Sequence, residues 1–213
     1  MKFLILDTST SYCSVTLVVD GDVYTDTRYI PRQHNKFLLE IISELFTRSK
    51  CDKKSLDFIS YGVGPGSFVG VRLAASVVQA FALSLDIPIV GFSSMFAIAK
   101  STPTKLNKIA TILDARMGDV YIGLYDTDIN TTISENVYKL DEYRDDLISG
   151  YELVGESIVA IDIKIENDFK IDVSDLVEYV LCEYDRQKQH NLLTHETYPV
   201  YLRGTSHWKK KDD

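Results

Sequence analysis

Two clusters in this chain of 213 residues carry side chains and spacing that could do chemistry. The first is Asp7-Thr8-Ser9-Thr10, a carboxylate and three hydroxyls at the end of an apolar run. The second runs from Gly62 to Arg72, where Gly62, Gly64, Gly66 and Gly70 alternate with Pro65, Ser67 and Phe68. Glycine is required where φ is positive or where two backbones must come close. An apolar run, Leu56 to Tyr61, precedes this stretch and an Ala-rich helical run, Leu73 to Leu85, follows it. A strand, a glycine turn and a helix N-terminus together present backbone N–H groups and the positive end of a dipole. Such a loop suits an anion, or a tight contact with another chain.

Familiar loop motifs do not fit. A phosphate-binding Walker loop needs Lys followed by Ser or Thr after its last glycine, and no Lys lies near Gly70. The dinucleotide fingerprint needs a third glycine where Val69 stands. A nucleophile elbow needs glycines two residues either side of the serine, but Pro65 and Val69 flank Ser67. Ser67 is therefore read as a helix cap. Arg72 and Arg116 could grip a phosphate in bidentate fashion, or tie two parts of the fold together through Asp7 or Asp114; the structural role is the preferred reading.

Composition narrows the classes. A net charge of −8 argues against an autonomous nucleic-acid binder, and the one dense basic cluster is Lys209-Lys210-Lys211 beside Trp208. Cys13, Cys51 and Cys182 are far apart and odd in number, which favours a reducing, cytoplasmic setting over a disulfide framework. No apolar run of eighteen residues is apparent, so no membrane span is expected. The N-terminal apolar run is too short for a signal peptide.

The elements that must position these residues read as follows. Phe3 to Asp7, Ser14 to Val19 and Val23 to Tyr29 are strands, the last two joined by a turn at Asp20-Gly21-Asp22. A helix runs from about Asn35 to Ser49, a strand from Leu56 to Gly62, a helix from Phe68 to Leu85 and a strand from Ile87 to Val90. Ser93-Ser94 caps a short helix reaching Lys100. Three meandering strands followed by helix, strand, helix and strand make a mixed α/β sheet, in the order of the ribonuclease-H-like fold of actin, hexokinase and Hsp70. Ser101-Thr-Pro-Thr104 is the expected boundary between an N-terminal domain, 1–102, and a smaller C-terminal one, 103–213. The second half starts like the first, with a strand from Lys108 to Leu113 leading into Asp114. Strands at Val120 to Tyr125, Ile133 to Leu140 and Glu152 to Val154 follow, with helices at Glu142 to Ile148 and Val173 to Arg186. Beyond His190 only a turn at Pro199 and a short extended piece can be read.

Asp7-Thr-Ser-Thr10, the loop Gly64-Pro65-Gly66-Ser67-Phe68 with Gly70 and Arg72, Ser93-Ser94, Asp114-Ala-Arg-Met117 with Val120-Tyr121, and Pro199-Val-Tyr-Leu-Arg203 stand in the order seen in the TsaB (YeaZ) family, which the chain resembles throughout. The resemblance implies a non-catalytic, cytoplasmic partner in making N6-threonylcarbamoyladenosine at position 37 of tRNAs that read ANN codons. It implies pairing with the transferase TsaD, a cycling ATPase TsaE, a homodimer when alone, and tRNA contact only through the complex, with no membrane. Val69 and Val71 depart from the family loop, which continues Ser-Phe-Thr-Gly-Leu-Arg; His34-Asn35 stands where His-Ser is usual, and Asn can also cap.

TsaD, the catalytic relative, carries a His-x-x-x-His metal pair on its first long helix. Here His34 is followed four residues on by Leu38, so no metal and no catalytic residue is expected. Strand-end carboxylates hold hydrated magnesium in nucleotide-binding members of this fold group. Asp7, Ser9, Thr10 and Asp114 are the corresponding candidates here, and a small ATPase or kinase is the alternative function. No intrinsic cofactor is expected, with ATP and Mg possible at the assembled complex. Both long helices look too apolar for one buried stripe. They are expected to dock a partner through His34, Leu38, Ile41, Ile42, Leu45, Gly70, Arg72, Ala74, Val77 and Val78, with a charge at Leu38 or Ala74 weakening the pair and sparing the fold.

Overall fold

Phe3, Leu4, Ile5 and Leu6 leave the first strand without a polar face, and all four are buried. Such a strand must lie inside a sheet covered on both sides. The computed structural model of the protein, which describes residues 1–165 and 169–202, places it so. Strand β1 (Lys2–Asp7) is the centre of a five-stranded sheet with β2 (Tyr12–Val19), β3 (Asp22–Tyr29), β4 (Phe58–Gly62) and β5 (Ile89–Phe92), in the order β3-β2-β1-β4-β5. The pairs β1–β2 and β2–β3 are antiparallel, while β1, β4 and β5 run parallel. Parallel neighbours need crossovers. Helix α1 (His34–Ser49) connects β3 to β4, and α2 (Phe68–Leu85) connects β4 to β5.

A second sheet repeats this plan. Strands β6 (Lys108–Arg116), β7 (Asp119–Asp126), β8 (Thr131–Lys139) and β9 (Glu152–Gly155) lie in the order β8-β7-β6-β9, with β6 and β9 parallel and the other pairs antiparallel. The order and directions match the first four strands of the larger sheet. The fold is thus two ribonuclease-H-like mixed sheets, the second reduced.

Side-chain alternation splits the core. Leu4, Leu6, Val15 and Leu17 point to one side, where Leu38, Ile41, Leu45, Ala74 and Val78 of α1 and α2 cover them. Phe3, Ile5, Phe58 and Phe92 point to the other and meet α3 (Ser94–Ser101), α4 (Val177–Gln189) and Ile109, Leu113 and Val154 of the second sheet. Phe58 is stacked between Phe3 at 4.6 Å and Tyr184 of α4 at 4.3 Å, both at 11°. Polar ties reinforce the seam. Ser14 Oγ accepts from the Val173 N–H at 2.9 Å, and Thr111 Oγ1 donates to the Met95 carbonyl at 3.0 Å.

Several boundaries differ from those read off the sequence. Strand β5 begins at Ile89, two residues late, because Pro88 carries no N–H for the ladder. The helix expected over Glu142 to Ile148 is a single 3₁₀ turn, Asp145–Ile148. The one expected from Val173 starts as a 3₁₀ turn and becomes α-helical at Val177. Helix α1 starts one residue earlier than expected. Its N-cap is Gln33 with no side-chain bond, so Asn35 lies inside the first turn and does not cap.

Truncating Phe58 should be costly, since its ring joins the first sheet to α4. Phe58→Ala should lose about 3–5 kcal/mol in urea unfolding, the usual range for a fully buried Phe. A loss below about 1 kcal/mol, the scale of a single buried methyl, would show that the stack does not hold the seam.

Candidate functional site

Strands β1 and β4 are parallel neighbours, so the chain leaving Asp7 and the chain leaving Gly62 emerge side by side. Missing side chains let them touch. A Cβ on Gly62 would fall on Asp7 Oδ2, and one on Gly70 would fall on the Thr8 carbonyl oxygen. A Cβ on Gly66 would stand 2.6 Å from the Ser9 carbonyl oxygen. With glycine at these places the two loops bond directly. The Ser67 N–H donates to the Ser9 carbonyl at 2.6 Å, and Thr8 Oγ1 donates to the Gly70 carbonyl at 2.7 Å. Ser67 also caps α2 by accepting from the Gly70 N–H at 3.3 Å.

Asp7 lies at the bottom of this clasp and is fully buried. Its Oδ1 accepts from the Ser9 N–H at 2.7 Å and its Oδ2 from Ser94 Oγ at 2.7 Å. Ser94 Oγ in turn accepts from the Gly64 N–H at 3.3 Å. Burial pushes the Asp7 carboxyl above its ordinary range, while the bonds from Ser94 and Ser9 pull it down. One carboxylate thus connects β1, the glycine loop and the start of α3.

The structure does not gather the expected nucleotide residues into an open site. Asp7 has no exposed surface with which to hold a hydrated cation, and Ser9 lies beneath Gly66. Thr10 Oγ1 accepts from the Tyr12 N–H at 3.1 Å, a local turn. Asp114 accepts from the Arg116 backbone and pairs with its guanidinium, each at 2.7 Å. Arg116 therefore engages a carboxylate within its own hairpin turn. Arg72 turns to neither Asp7 nor Asp114. Its Nε donates to Tyr201 Oη at 2.8 Å, and its guanidinium lies 3.5 Å from the Phe68 ring centroid. His34 is buried, with Nε2 3.0 Å from the Tyr12 carbonyl, so it ties α1 to β2. Among the described residues, no group of three His, Cys, Asp or Glu is placed to hold a metal ion.

The expected docking face also needs correction. Leu38, Ile41, Ile42, Leu45, Gly70, Ala74 and Val78 are buried against the first sheet, and Val77 is half-buried. The reason is that the sheet's own apolar side needs a covering layer, and these positions form the single stripe of each helix that supplies it. A charge at Leu38 or Ala74 would strike the core. The outward residues are others: Leu39 of α1, and Val69 and Leu83 of α2, 75% and 81% exposed. Although Arg72, Ser76, Gln79 and Ser84 interrupt its apolar run, α2 is long and apolar enough on average to cross a membrane by length and composition. It is nevertheless a crossover whose Ala74, Val78 and Ala82 stripe lies on the sheet, so its apolar outer side is a surface of the folded protein.

Sequence reasoning missed one element altogether. Residues 192–202 return across the first sheet. The Ile89 N–H donates to the Thr194 carbonyl at 2.8 Å, Tyr61 Oη lies 2.8 Å from Thr197 Oγ1, and the Val200 N–H donates to the Val63 carbonyl at 2.8 Å. Gln79 of α2 grips the segment twice, donating to the His195 carbonyl at 2.6 Å and accepting from the Thr197 N–H at 3.2 Å. Gln79, a polar side chain within an Ala- and Val-rich helix, was its one signal in the sequence. His207, the Trp208–Lys211 cluster and Arg203 lie outside the described residues.

Comparison with known proteins now adds to this geometry. The family model described as TsaD: tRNA N6-adenosine threonylcarbamoyltransferase matches residues 28–168. The tRNA threonylcarbamoyladenosine biosynthesis protein TsaB of Buchnera aphidicola subsp. Schizaphis graminum is 30% identical over 203 residues, 87% of this chain and 95% of the relative. The protein of the same name from Escherichia coli K12 is 35% identical over 132 residues, 61% of this chain and 57% of the relative. Among solved structures, YeaZ from Pseudomonas aeruginosa superposes with a TM-score of 0.78 at 26% identity, covering 94% of this chain and 99% of that one.

The buried carboxylate has a measurable consequence. The folded chain holds the Asp7 proton more tightly than the unfolded chain, whose ordinary value is 3.8. Its contribution to stability is therefore fully present below that pH and is lost as pH rises through the raised folded value. In urea unfolding across a pH series, the stability of the wild type relative to Asp7→Asn should fall over that window and level off above it. A pH-independent difference would refute the raised value. Ser94→Ala, which leaves Oδ2 without its donor, should cost about 1–3 kcal/mol.

Proposed function

This chain belongs to the TsaB (YeaZ) family, and we propose from that premise that it serves N6-threonylcarbamoyladenosine formation on tRNA as a subunit that supports the transferase without performing the chemistry. It pairs with TsaD through the outer faces of α1 and α2. TsaE acts on the pair, and tRNAs reading ANN codons are modified at position 37 by the assembly. ATP and Mg belong to that assembly. Alone, the chain pairs with itself through the same face, so self-pairing and partner-pairing compete.

One observation carries this reading. Helix α2 buries Gly70, Val71, Ala74, Val78 and Ala82 against the sheet, yet Phe68, Val69 and Leu83 stay exposed on its outer side. An apolar helix side of this length on a folded protein marks an interface. The chemistry of the site agrees. Asp7 and Ser9 are locked into the chain's own loops, and the helix position that would complete a metal pair with His34 is Leu38, which faces the core. Catalytic support then consists of holding TsaD in its active state by binding that state more tightly than the inactive one.

The direct test is threonylcarbamoyladenosine formation in a purified mixture of tRNA, threonine, bicarbonate, ATP and the other pathway proteins, with and without this chain. Product should require the chain. Equal product without it would overturn the supporting role and return the nucleotide-binding alternative to first place. Leu83→Glu, on the outer side of α2, should weaken TsaD binding at least tenfold, about 1.4 kcal/mol, with an unchanged melting temperature. Leu38→Asp should unfold the chain instead. Unchanged TsaD binding by Leu83→Glu would remove α2 from the interface.

A further inference from the structure

Phe68, Arg72 and Gln79 stand at i, i+4 and i+11 on α2, so they share one flank of the helix. The opposite flank carries Leu73, Val77 and Phe81, packed into the core that α1 helps to build. The outer side of α2 thus has α1 on one border and residues 194–202 on the other. That second border is a built arrangement. The Arg72 guanidinium lies over the Phe68 ring, 3.5 Å from its centroid and 5.7 Å from that of Tyr201, while its Nε holds Tyr201 Oη. Phe68 and Tyr201 are 6.1 Å apart and each is about half exposed, at 56% and 51%. Aromatic rings with an arginine packed against them are the composition that protein interfaces favour. No residue of the clasp around Asp7 requires this cluster, because Gly64 to Gly70 is already fixed by Ser9, Thr8 and Ser94.

We propose that residues 194–202 form a strap that completes the docking face of α2, with Arg72 as the positioning residue that latches it. Gln79 holds the middle of the strap and Val63 holds Val200, so the strap approaches α2 in a fixed register. The Arg72 latch then sets Tyr201 beside Phe68 and extends the apolar outer side of α2 onto the strap. The occupant is the TsaD subunit named above, and this inference rests on that reading. Unlatching the strap removes part of the face and adds the entropic cost of ordering it again on binding.

Three variants separate the parts. Tyr201→Phe keeps the ring on Phe68 and loses the bond to Arg72; Tyr201→Ala and Arg72→Ala lose the latch entirely. Amide hydrogen exchange at Thr197 and Val200 in the unbound chain reads the latch, and titration with purified TsaD reads the face. In Tyr201→Ala and Arg72→Ala both amides should exchange at least tenfold faster, with an unchanged melting temperature, and TsaD should bind at least fivefold more weakly. Tyr201→Phe should fall between these and the wild type. Faster exchange with unchanged TsaD binding would overturn the proposal, since the strap would then be outside the face. Unchanged exchange would also overturn it, since Arg72 would then not be the latch. A wild-type chain with protected amides that fails to bind TsaD would instead refute the pairing itself, and the proposal with it.

Discussion

The fold turns on a close approach between two backbones. Strands β1 and β4 run parallel and end together, so their outgoing loops compete for one volume. The conflict is resolved by leaving Cβ atoms out at Gly62, Gly66 and Gly70, where Asp7, Ser9 and Thr8 come closest. A Cβ at Gly66 or Gly70 would push the loops apart, and one at Gly62 would strike Asp7 Oδ2 and its donor Ser94 Oγ. With the loops in contact, a buried carboxylate becomes affordable because donors from two segments meet it. The two loops face each other, and the helix N-terminus that could meet an anion meets the end of β1.

With these loops closed on each other, the outer side of α2 is the feature of this half that its own packing leaves uncovered. Once α1 and α2 have spent one stripe each on covering the sheet, α2 still presents Val69 and Leu83 outward. Apolar residues on both sides of a helix are costly in a solitary protein, and a partner is the simplest physical account of them. The same reasoning explains why the residues first expected to dock are in the core. Apolarity says that a side chain prefers to leave water; it does not say whether the covering atoms belong to the same chain.

The two sheets share a core, and this is where α3 and α4 matter. Each is inserted between the sheets, and the Phe3, Phe58 and Tyr184 stack spans residues more than a hundred positions apart in sequence. The strap after α4 follows from that placement. Once α4 is docked under the first sheet, the chain leaving it emerges beside β5, whose outer edge would otherwise offer unpaired backbone groups. The Thr194 carbonyl accepts from Ile89 at that edge before the strap climbs onto α2.

Much of this was legible in one dimension. Strand and helix order in both halves, the hairpin at Asp20–Asp22, the caps Ser67 and Ser93 and the full extent of α2 follow from periodicity and turn chemistry, which are local. The glycines of the loop announced a close approach without naming what approached. Tertiary structure alone decided that it was Thr8 and Ser9, that Asp7 was sealed beneath them, that Arg72 reached Tyr201, and that residues 194–202 had a fixed path. These depend on contacts across 60 to 130 positions of sequence, which no local pattern encodes. The sequence by itself determined what each segment could be; packing decided which faces met one another and which stayed exposed.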